Sequence, residues 1–255
     1  MKIFLLVCKR SLVCGIILAT ALLAGCATVS QPDPRDPWES MNRSTQSFND
    51  GLDEYLLEPV ARGYDWVMPS FMSAGVSNFF SNIRDIRVTI NDLLQLKFKQ
   101  GGMDAGRFLI NSTAGVAGFV DVATMIDLPK HNEDFDQTLG YWGVPTGPYL
   151  VLPFWGPSSL RGVTGLVGDA AMNPLTYTFL FSDTFAVSAA SFGAYMLDVV
   201  DRRAAVLGLE KVAGESTDSY EFYRDSYLQQ RQALVNDGEV PDVDEGFEYD
   251  EDGGS

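Results

Sequence analysis

Cysteine is nearly missing from this 255-residue chain, and the three it has, Cys8, Cys14 and Cys26, all lie near the start. Everything after Cys26 is cysteine-free, which excludes a disulfide framework, a cysteine-based metal site and a thiol nucleophile from the body of the protein. Histidine is scarcer still. His131 is the single one, so a multi-histidine metal centre cannot be assembled and a Ser-His-Asp triad would have to use that residue. Glycine-rich phosphate loops of the P-loop or dinucleotide type are absent. Positive charge is also short: 18 Lys+Arg stand against 34 Asp+Glu, a net charge of −16. Such a chain does not hold nucleic-acid phosphates by counterion release, and it is not a polybasic membrane binder. No nucleic-acid partner, cofactor, metal or catalytic residue is expected. What is plentiful is apolar matter, 46% hydrophobic and 12% aromatic, which rules out disorder overall.

The amino terminus reads as an address and an anchor. Lys2, Lys9 and Arg10 precede an apolar run over 11–24, the layout of a secretory signal. At ~20 residues for a bilayer span, the run is too short for a convincing transmembrane helix. It ends in Leu23-Ala24-Gly25-Cys26, which resembles a bacterial lipoprotein cleavage box with Cys26 as the lipidated first residue of the mature chain. Two or more acyl chains anchor a protein stably. Ala27, rather than Asp, follows the cysteine, which points to the outer membrane, with the body on its periplasmic side. The expected organisation is a signal peptide over 1–25, a lipidated tether over 26–35, one helical domain over 36–236 and an acidic, disordered tail over 237–255, where nine acids meet no base.

The body reads as all-α. Asp36-Pro37 is a helix start with Asp at the N-cap, followed by an apolar stripe of Trp38, Met41, Thr45, Phe48, Leu52 and Tyr55. Pro59 ends or restarts that helix. Residues 70–98 and 103–113 continue the helical pattern. A last amphipathic helix over 218–236 begins at a capping box of Asp218 and Glu221, ends before Gly238, and places Tyr220, Tyr223, Tyr227 and Leu234 on its inner face. The best strand pattern is 149–154.

Two segments depart from a soluble protein. Gln137 to Leu160 is 24 residues without a charge, containing four prolines, four glycines and five aromatics. It is either a rigid loop packed on the core, a ligand cover or a lipid contact. Ala170 to Leu197 carries one charge, Asp183, in 28 residues. Asn173-Pro174 and Ser182-Asp183 divide it into a helical hairpin with arms of about 8 and 17 residues, too short to span and suited to one leaflet. On the long arm Thr184, Ser188, Ser191, Tyr195, Asp198 and Arg202 form a narrow polar stripe on an otherwise apolar rod, the reverse of a soluble surface helix. Of these, Thr184, Ser188, Ser191, Tyr195 and Asp198, with Arg161 and Tyr149, are candidates for a lipid path. Phe179, Phe181, Phe185, Phe192 and Met196 are candidates to face the membrane. The cluster His131, Glu133, Asp134 and Asp136 reads as a solvated loop leading into a helix N-terminus rather than a metal or acid–base site. Gly162, Gly165 and Gly168 make a smooth strip for close helix packing.

The runs DPWESMNRSTQSFND (36–50), SNFFSNIRDIRVTINDLLQ (77–95), GRFLINSTAGVAGFVDVA (106–123) and TLGYWGVPTGPYLVLPFWGPSSLR (138–161) resemble the MlaA/VacJ lipoproteins, over about Asp36 to Gly238. Ile86 and Leu96 stand where that family often has Pro and Gly, and Gly162 where an Asp commonly follows Arg161. The resemblance implies a single ring-like helical domain with a membrane-embedded hairpin and a central amphipathic channel. It implies a lipoprotein in the periplasmic leaflet of the outer membrane, beside a trimeric porin. Phospholipids mislocalised to the outer leaflet would pass through it to a periplasmic carrier, MlaC, preserving lipid asymmetry. Two alternatives remain at this point: a porin-associated structural lipoprotein without its own path, and a membrane-bound lipid hydrolase using His131.

Overall fold

The computed structural model describes residues 33–208 and 218–238. The expected signal peptide, Cys26 and the tail beyond Gly238 lie outside the described residues. The chain is all-α apart from one short hairpin. In order it forms α1 (Glu39–Leu52), a π-helical segment (Asp53–Leu57), α2 (Glu58–Val67), α3 (Ser70–Leu94), α4 (Phe98–Thr113), α5 (Val122–Met125) and α6 (Phe135–Tyr141). The strands β1 (Tyr149–Leu152) and β2 (Gly156–Ser159) follow, then α7 (Leu160–Met172), α8 (Pro174–Phe181), α9 (Phe185–Ala205) and α10 (Ser219–Val235).

Local chemistry explains the breaks. Pro59 restarts the first helix rather than ending it: it lacks an N–H and its ring crowds the carbonyl four residues back, and the π-helical turn over 53–57 widens the backbone just ahead of it. Asp218 caps α10, accepting from the Tyr220 amide at 2.9 Å, and Gly238 closes the other end at φ +88 with its amide on the Ala233 carbonyl. The expected cap at Asp36 is corrected. Helix α1 starts at Glu39, and Asp36 is fully buried, accepting from Asn42 Nδ2 at 2.8 Å and from the Tyr220 hydroxyl. Tertiary partners claimed its carboxylate before the helix terminus could.

The interior is the surprise. Among the described residues, seven hydrophobic side chains are buried against twenty-one polar or charged ones. The stripe on α1 exists, but Asn42 and Gln46 point inward while Trp38, Phe48 and Tyr55 are exposed. Helices α3 and α4 pack together through Asn82, Asp85, Asn91 and Asp92 on one side and Asp104, Arg107 and Asn111 on the other. Leu93 and Leu94 are left outside. The buried groups are cross-linked: Lys130 to Asp85 (2.6 Å), His131 Nδ1 to Asp104 (2.7 Å), Arg107 to Asp121 (2.9 Å) and Gln95 to Glu133 (2.9 Å).

A small apolar core of Tyr149, Val151 and Tyr220, flanked by Tyr227 and Leu228, lies between the strand hairpin and α10. Only part of the uncharged 137–160 segment is packed: β1 and β2 are antiparallel with Tyr149 opposite Ser159, while Tyr141, Trp142, Phe154 and Trp155 are exposed. Asparagines one heptad apart on α1 dock its edge by imitating a neighbouring strand. Asn42 donates to the Tyr149 carbonyl (3.1 Å) and accepts from the Val151 amide (2.9 Å); Asn49 does the same for Leu152 (3.0 Å) and Phe154 (2.8 Å). On α10 the buried inner face is Tyr220 and Arg224, while Tyr223 is exposed, correcting its expected place. The glycine strip on α7 meets α6 closely: a Cβ on Gly165 would lie 2.7 Å from that of Asp136, and one on Gly168 would lie 2.2 Å from the Phe135 ring.

Candidate functional site

The helical hairpin forms where its punctuation predicts. Asn173 accepts from the Leu175 amide and Pro174 opens α8, which runs eight residues to Phe181; three residues later α9 begins at Phe185. Helix α8 has no buried residue, and no helix among the described residues is long and apolar enough to cross a membrane. Phe179, Phe181, Phe185, Phe192 and Met196 are all exposed, with Phe179 against Phe192 across the hairpin (ring centroids 6.2 Å apart).

A polar seam runs where α9 meets α2 and α3, and continues where α3 meets α7. Asp201 accepts from Ser77 (2.5 Å) and from the Tyr64 hydroxyl (2.8 Å). Asp198 accepts from Arg84 Nη1 (2.9 Å) and Arg202 Nε (3.1 Å). Asp169 on α7 accepts from Arg87 Nη1 (3.0 Å) and the Phe135 amide (2.9 Å). Burial pushes the Asp169 carboxyl up to about 6, with the Arg87 guanidinium pulling the other way. Beside the seam is an apolar cleft of about 450 Å³, lined by Val60, Gly63, Tyr64, Val67 and Met68 from α2 and its end, and by Met196, Leu197 and Val200 from α9. Tyr64 belongs to both: its ring lines the cleft and its hydroxyl reaches Asp201. Apolar lining and charged groups thus meet on one turn of α9, an arrangement that offers an amphiphile separate surroundings for its two ends.

The predicted path residues divide. Asp198 lies in the seam, paired with Arg202 of the same stripe. Ser191 is buried and donates to Thr178 Oγ1 at 2.8 Å, tying the two arms of the hairpin together. Ser188 is half-buried, and Thr184 and Tyr195 are exposed. Two candidates lie elsewhere: Tyr149 is fully buried between Tyr220 and Tyr227, and Arg161 is buried with Nε 2.7 Å from Asp136 and Nη1 on the Val144 carbonyl. The acidic cluster around His131 also differs from its solvated reading. Asp134 does cap α6, but Glu133 and Asp136 are buried. Among the described residues no group of three or more His, Asp or Glu side chains could hold a metal ion. Sequence reading missed Tyr64, Ser77, Arg84, Arg87, Asp169 and Asp201. The available signal was two arginines three residues apart within the helical run 77–94, on one helix face.

A family model described as MlaA lipoprotein matches residues 34–234. The intermembrane phospholipid transport system lipoprotein MlaA of Escherichia coli (strain K12) is 33% identical over 232 residues, covering 89% of this chain and 89% of that protein. Its namesake in Haemophilus influenzae is 31% identical over 249 residues, 95% of this chain and 97% of that one. A solved structure, presented as the structural basis for maintenance of bacterial outer membrane lipid asymmetry, is similar with a TM-score of 0.68 at 32% identity, covering 79% of this chain and 99% of that chain. With its helices, its hairpin and its inverted polarity already in view, the chain belongs to the MlaA lipoprotein family.

Proposed function

We propose that this lipoprotein is a conduit that withdraws mislocalised phospholipids from the outer leaflet of the outer membrane and passes them to a soluble periplasmic carrier. Cys26 anchors it in the periplasmic leaflet. The α8–α9 hairpin lies at leaflet depth, and a trimeric porin and the carrier MlaC are its partners. The relatives' names, which speak of intermembrane phospholipid transport, support this reading.

The observation that carries it is the inversion of polarity: charged and amide side chains fill the interior while aromatic and aliphatic ones cover the outside. In water an exposed apolar surface of that extent is unfavourable, whereas hydrocarbon welcomes it. A headgroup then has the seam and a tail has the cleft, so neither end meets the several-kcal/mol cost of the wrong surroundings. The transfer needs no covalent step.

The test exploits Gly63, which lines the cleft and whose Cβ position is open. In a strain lacking the gene, surface-exposed phospholipid is expected to rise, and the wild-type chain to restore it to normal. Gly63→Phe fills the cleft and is expected to fold and reach the membrane without restoring asymmetry. Full restoration by Gly63→Phe removes the cleft from the path. Unchanged surface phospholipid in the deletion strain sinks the transport reading in favour of a structural accessory on the porin.

A further inference from the structure

We propose that Arg84, Arg87 and Arg202, gathered along the polar seam of α3 and α9, form a binding site for the phosphate of a phospholipid headgroup. The proposal rests on the conduit reading for the ligand's arrival, and it specifies a site that reading does not.

Three guanidinium groups here share two carboxylates. Arg84 and Arg202 both donate to the same Asp198 oxygen, which holds them side by side, and Arg87, one turn along α3 from Arg84, pairs with Asp169. Asp201, the next acid on α9, already accepts two hydroxyls. The arrangement is incomplete. The Arg87 Nε–H is buried and has no hydrogen-bond acceptor among the described residues, a cost that an incoming oxygen anion removes. Arg84 is held below its usual pKa by burial and then by repulsion from Arg202, so an added negative charge is favoured there. The planar forks suit a phosphodiester's oxygens. All three arginine side chains keep solvent access, at 30, 29 and 57%, whereas Arg161, the phosphate ligand suggested by sequence, is closed off at 5%. The cleft residues Met196, Leu197 and Val200 lie on the side of α9 that meets α2, and Asp198 on the side that meets α3, so the arginines form a headgroup site apart from the cleft lining.

The experiment uses the full chain in nonionic detergent. It measures binding of phosphatidylglycerol, of diacylglycerol with the same tails, and of inorganic phosphate. Wild type is expected to prefer phosphatidylglycerol over diacylglycerol by about tenfold or more. Arg87→Gln, or Arg202→Gln at the most exposed of the three, is expected to erase most of that preference while leaving diacylglycerol binding unchanged. Asp169→Asn frees Arg87 and is expected to strengthen phosphatidylglycerol binding. Equal phosphatidylglycerol affinity in wild type and both arginine variants overturns the site, and with diacylglycerol still bound it leaves the conduit reading standing. Inorganic phosphate bound as tightly as phosphatidylglycerol, and lost in Arg87→Gln, overturns the headgroup assignment in favour of a free-anion site. Failure of wild type to bind either lipid is instead a failure of the conduit reading, and the proposal falls with it.

Discussion

Tyr149 and Phe185 are both large aromatic residues in uncharged stretches, yet the first is 0% and the second 88% exposed. Around Tyr149 the molecule behaves as a water-soluble protein does: rings pack on rings, and the strand edge is closed by asparagines. Around Phe185 the apolar surface is exposed, and farther along α9 Asp198 and Asp201 turn to α3. On the proposed membrane placement, the same side-chain chemistry meets two solvents. A single hydrophobicity rule therefore cannot describe the protein; the sign of the rule changes between the strand hairpin and the helical hairpin.

Substitutions can break that comparison. The largest effect is expected for Asn42→Ala, which leaves a backbone carbonyl, a backbone amide and the Asp36 carboxylate short of a partner. A loss of about 3 kcal/mol or more in denaturant unfolding in detergent is expected. A loss below about 1 kcal/mol would mean that water reaches this region and that it is no ordinary core.

The second test concerns the polar interior between α3 and α4. Burial, reinforced by Asp104 and Glu133, pushes Asp92 up to about 8. Because the folded value lies above the unfolded one, this residue favours folding most below about pH 4. That contribution declines as pH rises from about 4 to about 8 and is gone above that. Wild type is expected to lose stability on the order of 2 kcal/mol between pH 5 and pH 9, and Asp92→Asn to flatten that slope. An identical slope in both would show this interior to be wet.

A smaller gain is expected at the α3–α4 turn. Leu96 adopts φ +62, a left-handed conformation that costs an L side chain about 1 kcal/mol. Leu96→Gly is expected to stabilise by up to about 1 kcal/mol, read as a raised unfolding midpoint. The smallest folding effect belongs to Phe185→Ala, below about 0.5 kcal/mol in detergent, with a measurable fall in partitioning to lipid vesicles. A folding loss like that of Asn42→Ala would erase the distinction between the two hairpins.

Much of the architecture was legible because its signals are local. Asn173-Pro174, Ser182-Asp183, Asp218 and Gly238 punctuate helices through hydrogen bonds to residues a few positions away. The spacing of Gly162, Gly165 and Gly168 announced a close helix contact. The candidate site was only partly legible. The stripe on α9 led to Asp198 and Arg202, but its partner Arg84 and the neighbouring Arg87–Asp169 pair come from two other helices, and no pattern within α9 names them. Arg161 and Tyr149 misled because a charge or an aromatic beside an uncharged segment carries no mark of what packs against it.

The sequence by itself therefore determined where helices begin and end, that one pair of them is a short hairpin, and that the chain separates apolar from polar faces, because backbone hydrogen bonding and side-chain periodicity act over a few residues. Only the tertiary structure decided which face points inward, since a stripe looks the same to water and to hydrocarbon. Only it brought Asp169, Arg87 and Asp198 to one seam, since charges far apart in the chain meet only once the helices that carry them have packed.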